Sequence, residues 1–228
     1  MRNLLLLFMF VNFLLITSCK DSQKKENETE ISSVAKDTVQ TSEDSSVILL
    51  FGDSLTAGLG VDPSEAFSAL LQSKVDSLNL NYEVANAGLS GETTASGVNR
   101  LNWVLDQDVK VIVIELGAND GLRGVPLDET EKNLQKMIDM VREKDSTIKI
   151  VLAGMQIPPN MGEQYTTKFK NIFPELAKKN HVYLIPFILE NVGGVPQLNQ
   201  PDGIHPTAEG HKIVAQNVWA VLGKVING

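Results

Sequence analysis

The sequence predicts an α/β fold, a three-layer α/β/α sandwich around a five-stranded parallel sheet, and three observations carry that prediction. Five short apolar runs recur through residues 47–228, stretches of helical period separate them, and several runs are apolar on successive residues, as strands covered on both faces are. The first run, VILLF at 47–51, breaks off at Gly52, Asp53 and Ser54. The others are YEVANA at 82–87, VKVIVIEL at 109–116, IKIVLAG at 148–154 and VYLIPF at 182–187. Between them Phe67, Leu70, Leu71, Val75 and Leu78 share one helical face. So do Leu134, Met137, Ile138 and Val141, and again Val214, Val218, Val221, Leu222 and Val225. Asp128 followed by Glu131 predicts a capping box at the start of the second of these helices. No internal repeat is present.

Composition narrows the function. The chain has 228 residues, of which 43% are hydrophobic, enough for one domain with a sizeable core. A formal charge of −8 without a basic run argues against a nucleic-acid partner. The single cysteine rules out an intrachain disulfide and the paired spacings of a structural zinc site. Residues 1–18 read as a signal peptide: Arg2 precedes an apolar stretch at 4–16 that is too short for a hydrocarbon core needing about 20 residues. The lone cysteine, Cys19, ends the stretch ITSC, which resembles the lipobox of bacterial lipoproteins, with Ile16 where leucine is usual. That resemblance implies a lipidated Cys19, a membrane partner through the anchor and, because residue 20 is Lys rather than Asp, an outer-membrane location. Residues 20–46 mix charges of both signs with no aromatic, the composition of a flexible tether spanning roughly 30 Å r.m.s.. The folded domain is expected at 47–228.

In a parallel sheet of this kind, ligands bind beyond the carboxyl ends of the strands. Gly52, Asp53 and Ser54 follow the first strand, residues 86–91 the second and 117–120 the third, so three polar loops should meet at one edge. A serine there becomes a nucleophile if a histidine takes its proton and a carboxylate orients that histidine. Of the three histidines, His181 reads as a surface or strand-edge residue and His211 as a solvated or packed helix residue. His205, in PDGIHP, precedes a proline and follows Asp202 by three positions, so a turn could bring the carboxylate to the imidazole. Gly91 and Asn119 have the chemistry of oxyanion donors, yet taken singly they read as a turn glycine and an Asx-turn residue. Asp53 reads as a loop residue bonding backbone.

The ordered blocks FGDSLTAG, NAGLSGETT, ELGANDGLRG and DGIHP resemble the four motifs of the GDSL, or SGNH, hydrolases. The resemblance spans 47–226 and is closest to the bacterial multifunctional thioesterase, lysophospholipase and arylesterase branch, in which MQIPPNMG also has a counterpart. It implies a flavodoxin-like version of the sandwich. It also implies Ser54 as nucleophile, His205 as general base and acid, and Asp202 as its orienting partner. The N–H groups of Ser54 and Gly91 and the Asn119 amide would form the oxyanion hole. No GxSxG elbow surrounds Ser90, which disfavours an ordinary α/β-hydrolase. The expected activity is acyl-ester hydrolysis by a monomer through an acyl-enzyme that requires no metal or cofactor. An envelope location favours lysophospholipids and other acyl esters over cytosolic acyl-CoA. A carbohydrate O-acetyl esterase and a non-catalytic surface binding module are the alternatives.

Overall fold

The computed structural model describes residues 45–105 and 108–227. The signal peptide, Cys19 and nearly all of the tether lie outside the described residues. The first apolar run forms β1 (Ser46–Gly52), in which Ile48, Leu49, Leu50 and Phe51 are buried. β2 (Tyr82–Gly88) and β3 (Val109–Glu115) flank it, and β4 (Lys149–Ala153) and β5 (Tyr183–Ile185) continue the sheet beyond β3. Every pairing is parallel, in the order β2-β1-β3-β4-β5. The last strand is shorter than its apolar run because Pro186, lacking an amide hydrogen, cannot extend the ladder.

Helices cover both faces, which is why β1 and β3 are apolar on successive residues. α2 (Phe67–Ser77) packs on α7 (Ala208–Asn227), while α3 (Thr94–Val104), α5 (Leu127–Lys144) and α6 (Glu163–Asn180) pack in series. Right-handed crossovers put the first pair on one face and the other three on the opposite face. Leu134, Met137, Ile138 and Val141 are completely buried, as their helical period predicts. Leu78 is exposed instead, since it lies past the end of α2, where Asn79 turns the chain at φ 51°. The capping box predicted at Asp128 does not form. Pro126 precedes the helix, Leu127 opens it, and the Asp128 carboxylate reaches Lys168 Nζ at 2.5 Å. Among the described residues no helix is long and apolar enough to cross a membrane.

Two short helices sit on the carboxyl edge of the sheet: α1 (Ser54–Ala57) directly after β1 and α4 (Ala118–Leu122) just after β3. β1 and β3 are the strands between which the chain changes direction across the sheet, the crevice in which doubly wound folds bind ligands. The start of α2, where the chain returns from α1, is held by His211. Its imidazole is buried, stacks on Phe67 at a centroid distance of 6.1 Å, and accepts the Phe67 amide at Nδ1 (3.2 Å). That bond satisfies the first amide of α2, which no local side chain caps. Burial, with the nearby His205 adding to it, pushes the His211 imidazole down to about 4.

A buried histidine that stays neutral loses stability to the unfolded chain as pH falls from its ordinary value, 6.5, toward its folded value near 4. Replacing it with glutamine should lower the melting temperature at pH 7.5. The gap between wild type and His211→Gln should then narrow as the pH is taken down to 4, as read by circular dichroism melts.

Candidate active site

Ser54 is the first residue of α1, where the chain turns abruptly out of β1. Asp53 caps that turn by accepting the Leu55 amide at Oδ1 (3.0 Å), the backbone role expected from sequence. Gly58 then ends it in the left-handed region at φ 73°. The turn holds the Ser54 side chain 2.9 Å from His205 Nε2. His205 Nδ1 lies 2.7 Å from Asp202 Oδ2. The other Asp202 oxygen accepts the amides of Ile204 and His205 at 2.9 and 3.0 Å, so the carboxylate cannot rotate away. The Ile204 amide first, then His205, hold the Asp202 carboxyl down to about 2. It is therefore charged at any pH where a neutral imidazole can act as a base.

The histidine loop comes from the far end of the chain and needs its own fixing. Gln200 supplies it: its amide N–H meets the His205 carbonyl at 2.7 Å, and its side-chain nitrogen donates to the carbonyls of Leu59 and Pro206. Leu59 follows the Ser54 turn, so one glutamine clamps the two loops together. A side chain on Gly60 would collide with Gln200 Oε1 at 2.2 Å. Gln200 carries no family signature, and sequence reasoning passes over it.

Gly91 and Asn119 arrive at the same crevice, and both line the cavity beside Ser54. Gly91 adopts φ 80°, a region that glycine enters without strain. Its loop is held on the side that leads into α3. Arg100 forks onto Glu92, with Nε donating to Oε1 at 2.8 Å and Nη2 to Oε2, and Arg100 also stacks over Phe51. Thr94 is bound through both its amide (2.9 Å) and its hydroxyl (2.5 Å) to the buried carboxylate of Asp120, the neighbour of Asn119. The Asn119 amide is oriented from both sides: Arg123 Nη2 donates to Oδ1 at 3.2 Å, and Nδ2 donates to Asp53 Oδ2 at 3.1 Å. One Nδ2 hydrogen remains without a partner in that arrangement. Ser90, by contrast, is an exposed residue of the cavity rim.

The cavity has a volume of about 570 Å³. Its floor and walls are mainly apolar, with Leu55, Leu59, Leu122, Met155, Ile157 and Ile204 around the polar cluster. Such a shape accepts a hydrocarbon chain beside a polar reacting group. Among the described residues no group of three or more His, Cys, Asp or Glu side chains could hold a metal ion.

The sequence model of the GDSL-like lipase/acylhydrolase family matches residues 50–213. The chain belongs to that family. It is 40% identical over 176 residues to esterase TesA of Pseudomonas aeruginosa, covering 77% of this chain and 87% of that one. It is 37% identical over 181 residues to thioesterase 1/protease 1/lysophospholipase L1 of Escherichia coli K12, covering 79% and 85%. Among solved structures it resembles the psychrotrophic esterase EstA of Pseudoalteromonas, inhibited by monoethylphosphonate, with a TM-score of 0.75, 31% identity, and 80% and 99% coverage. The protein is a serine esterase of this family, with the five-stranded parallel α/β fold of its relatives.

Gly52 shows how tightly the Ser54 turn is seated. A Cβ there would lie 2.1 Å from Thr56 Oγ1, 2.6 Å from Glu115 Oε2 and 2.8 Å from the Glu115 carbonyl. Gly52→Ala should therefore displace the turn. The expected result is a melting temperature lower by several degrees and a fluorophosphonate labelling rate at Ser54 reduced by about tenfold or more. Labelling followed by mass spectrometry reads the second effect.

Proposed function

We propose that Ser54, His205 and Asp202 are the catalytic residues of an acyl-ester hydrolase whose substrates include lysophospholipids and aryl esters. The observation that carries this reading is the unbroken chain of hydrogen bonds from Ser54 Oγ to His205 to Asp202, opening into the apolar cavity beside Asn119. Ser54 Oγ attacks the ester carbonyl as His205 Nε2 takes its proton, and charged Asp202 stabilises the imidazolium that forms. The developing oxyanion is met by the free Asn119 Nδ2 hydrogen and the amides of Ser54 and Gly91. His205 then protonates the leaving alkoxide. A water deprotonated by the same imidazole attacks the acyl-Ser54 carbonyl and releases the acid.

The apolar cavity supports an acyl chain over acetate as the group held beside Ser54. Residues 1–20 support a location in the cell envelope, with Cys19 as the lipidated residue and the protein held at the outer membrane, probing esters at or near the bilayer.

Asn119→Ala should lower kcat on a p-nitrophenyl ester by on the order of 10² to 10³, as loss of an oxyanion donor does elsewhere. Ser54→Ala should be inactive; near-normal turnover in Asn119→Ala would remove that residue from the oxyanion hole. A p-nitrophenyl series from acetate to decanoate should show kcat/KM rising with chain length through at least the hexanoate. Activity confined to acetate would point instead to a deacetylase.

A further inference from the structure

Below the nucleophile turn, where the proposed mechanism uses no residue, a second carboxyl is buried against the first. Glu115 is the last residue of β3, and its side chain is 1% exposed. Its Oε2 accepts the Thr56 hydroxyl at 2.8 Å and faces the Asp53 amide at 3.4 Å. These two residues flank Ser54. The same oxygen occupies the space that a side chain on residue 52 would fill, so the glycine of GDS is required by Glu115 and Thr56.

The other oxygen, Glu115 Oε1, is buried with no hydrogen-bond partner. An ionised carboxylate left in that state would lose most of its solvation, whereas a protonated one carries no charge to solvate. Both neighbouring donors point at Oε2, which therefore acts as an acceptor whether or not the group is ionised. Asp53 is differently placed. Its two oxygens accept the Leu55 amide and the Asn119 side chain, both of which favour its ionised form.

We propose that Glu115 is a positioning residue for the nucleophile: an uncharged carboxyl that ties down the chain on both sides of Ser54 and leaves the negative charge on Asp53, where it aims the Asn119 amide. Burial and the charge of Asp53 both push the Glu115 carboxyl well above the usual carboxylate range, in the same direction as the geometry. Burial pushes Asp53 up to about 6, against the pull of Leu55, Asn119, the charge of His205 and a hydrogen bond with Glu115. Asp53 is the charged group facing Glu115, and Asp53 in turn faces His205. The inference rests on Ser54 being the nucleophile, which phosphonate labelling of Ser54 in the wild-type enzyme tests by itself.

The decisive comparison is between Glu115→Gln and Glu115→Ala in the full-length enzyme. Glutamine keeps a carbonyl oxygen for Thr56 and Asp53 and is neutral at every pH. Glu115→Gln should therefore keep kcat within about threefold of wild type at pH 7.5, while Glu115→Ala should lower it about 30- to 100-fold with KM little changed. The two proteins should also differ with pH. A carboxyl whose folded value is raised contributes stability below its unfolded value and loses it as pH rises through the folded value. Wild type should accordingly lose melting temperature toward pH 9 relative to Glu115→Gln. Should Glu115→Ala fail to fold, Thr56→Val cuts the same tie from the nucleophile side and should lower kcat about tenfold at unchanged KM. Equal loss of kcat in Glu115→Gln and the tie-cutting variant would show that the charge is needed. Full kcat in Glu115→Ala or Thr56→Val, with Ser54 still labelled, would show that no positioning role exists.

Discussion

The hydrogen bond between Ser54 and His205 joins residues 151 positions apart, and nearly every other feature of the site exists to keep that one contact short. Neither loop is regular enough to hold itself. The serine sits on a four-residue helix, and the histidine sits in a bend tied by one antiparallel bridge, Asn199 to Pro206. Their separation is set by the sheet below, by Gln200 bridging the two loops, and by Asp202 locked through two backbone amides. A hydrogen bond of this kind weakens steeply with distance and angle, so small displacements of either loop matter more than the bond's own modest net energy.

The same crevice concentrates buried polar groups that a sandwich core would otherwise exclude. Asp53 and Glu115 lie beside Ser54 and its turn, Asp120 ties the helix of Asn119 to the start of α3, and Glu92 is forked by Arg100. Each buried acid is satisfied by donors from a different element, so together they fix the relative positions of three loops. That arrangement converts the low dielectric of the interior into geometry. Polar groups that would be costly alone become specific when each has its partner. Glu115 is the exception, with one oxygen left over, and that exception identifies it as the neutral member of the pair.

An apolar cavity beside a polar cluster also divides the surroundings of the site. Hydrocarbon walls formed by residues such as Leu122 and Ile204 are non-directional, while the Asn119 amide and the Gly91 loop are fixed in position beside Ser54. Arg123, an exposed cation bound to Asn119 Oδ1, shares with Asp53 the setting of which way the amide points.

Much of this was legible from the chain alone. Strand order aside, the alternation of apolar runs and helical periods sets the layers, because burial on both faces of a parallel sheet requires continuous hydrophobic strands. The four blocks containing Ser54, Gly91, Asn119 and His205 also mark their loops in sequence, since the backbone and chemical demands at those positions admit few residue types. What remained hidden was partnership. Glu115 reads as the polar end of a strand, Gln200 as a loop residue, His211 as one more helix position and Asp128 as a cap. Their actual roles depend on groups 59, 141, 144 and 40 residues away. Sequence pattern records the local periodicity of an element and the chemistry of each side chain. The distance between two side chains on different elements is decided only when the sheet closes and water is removed from between them.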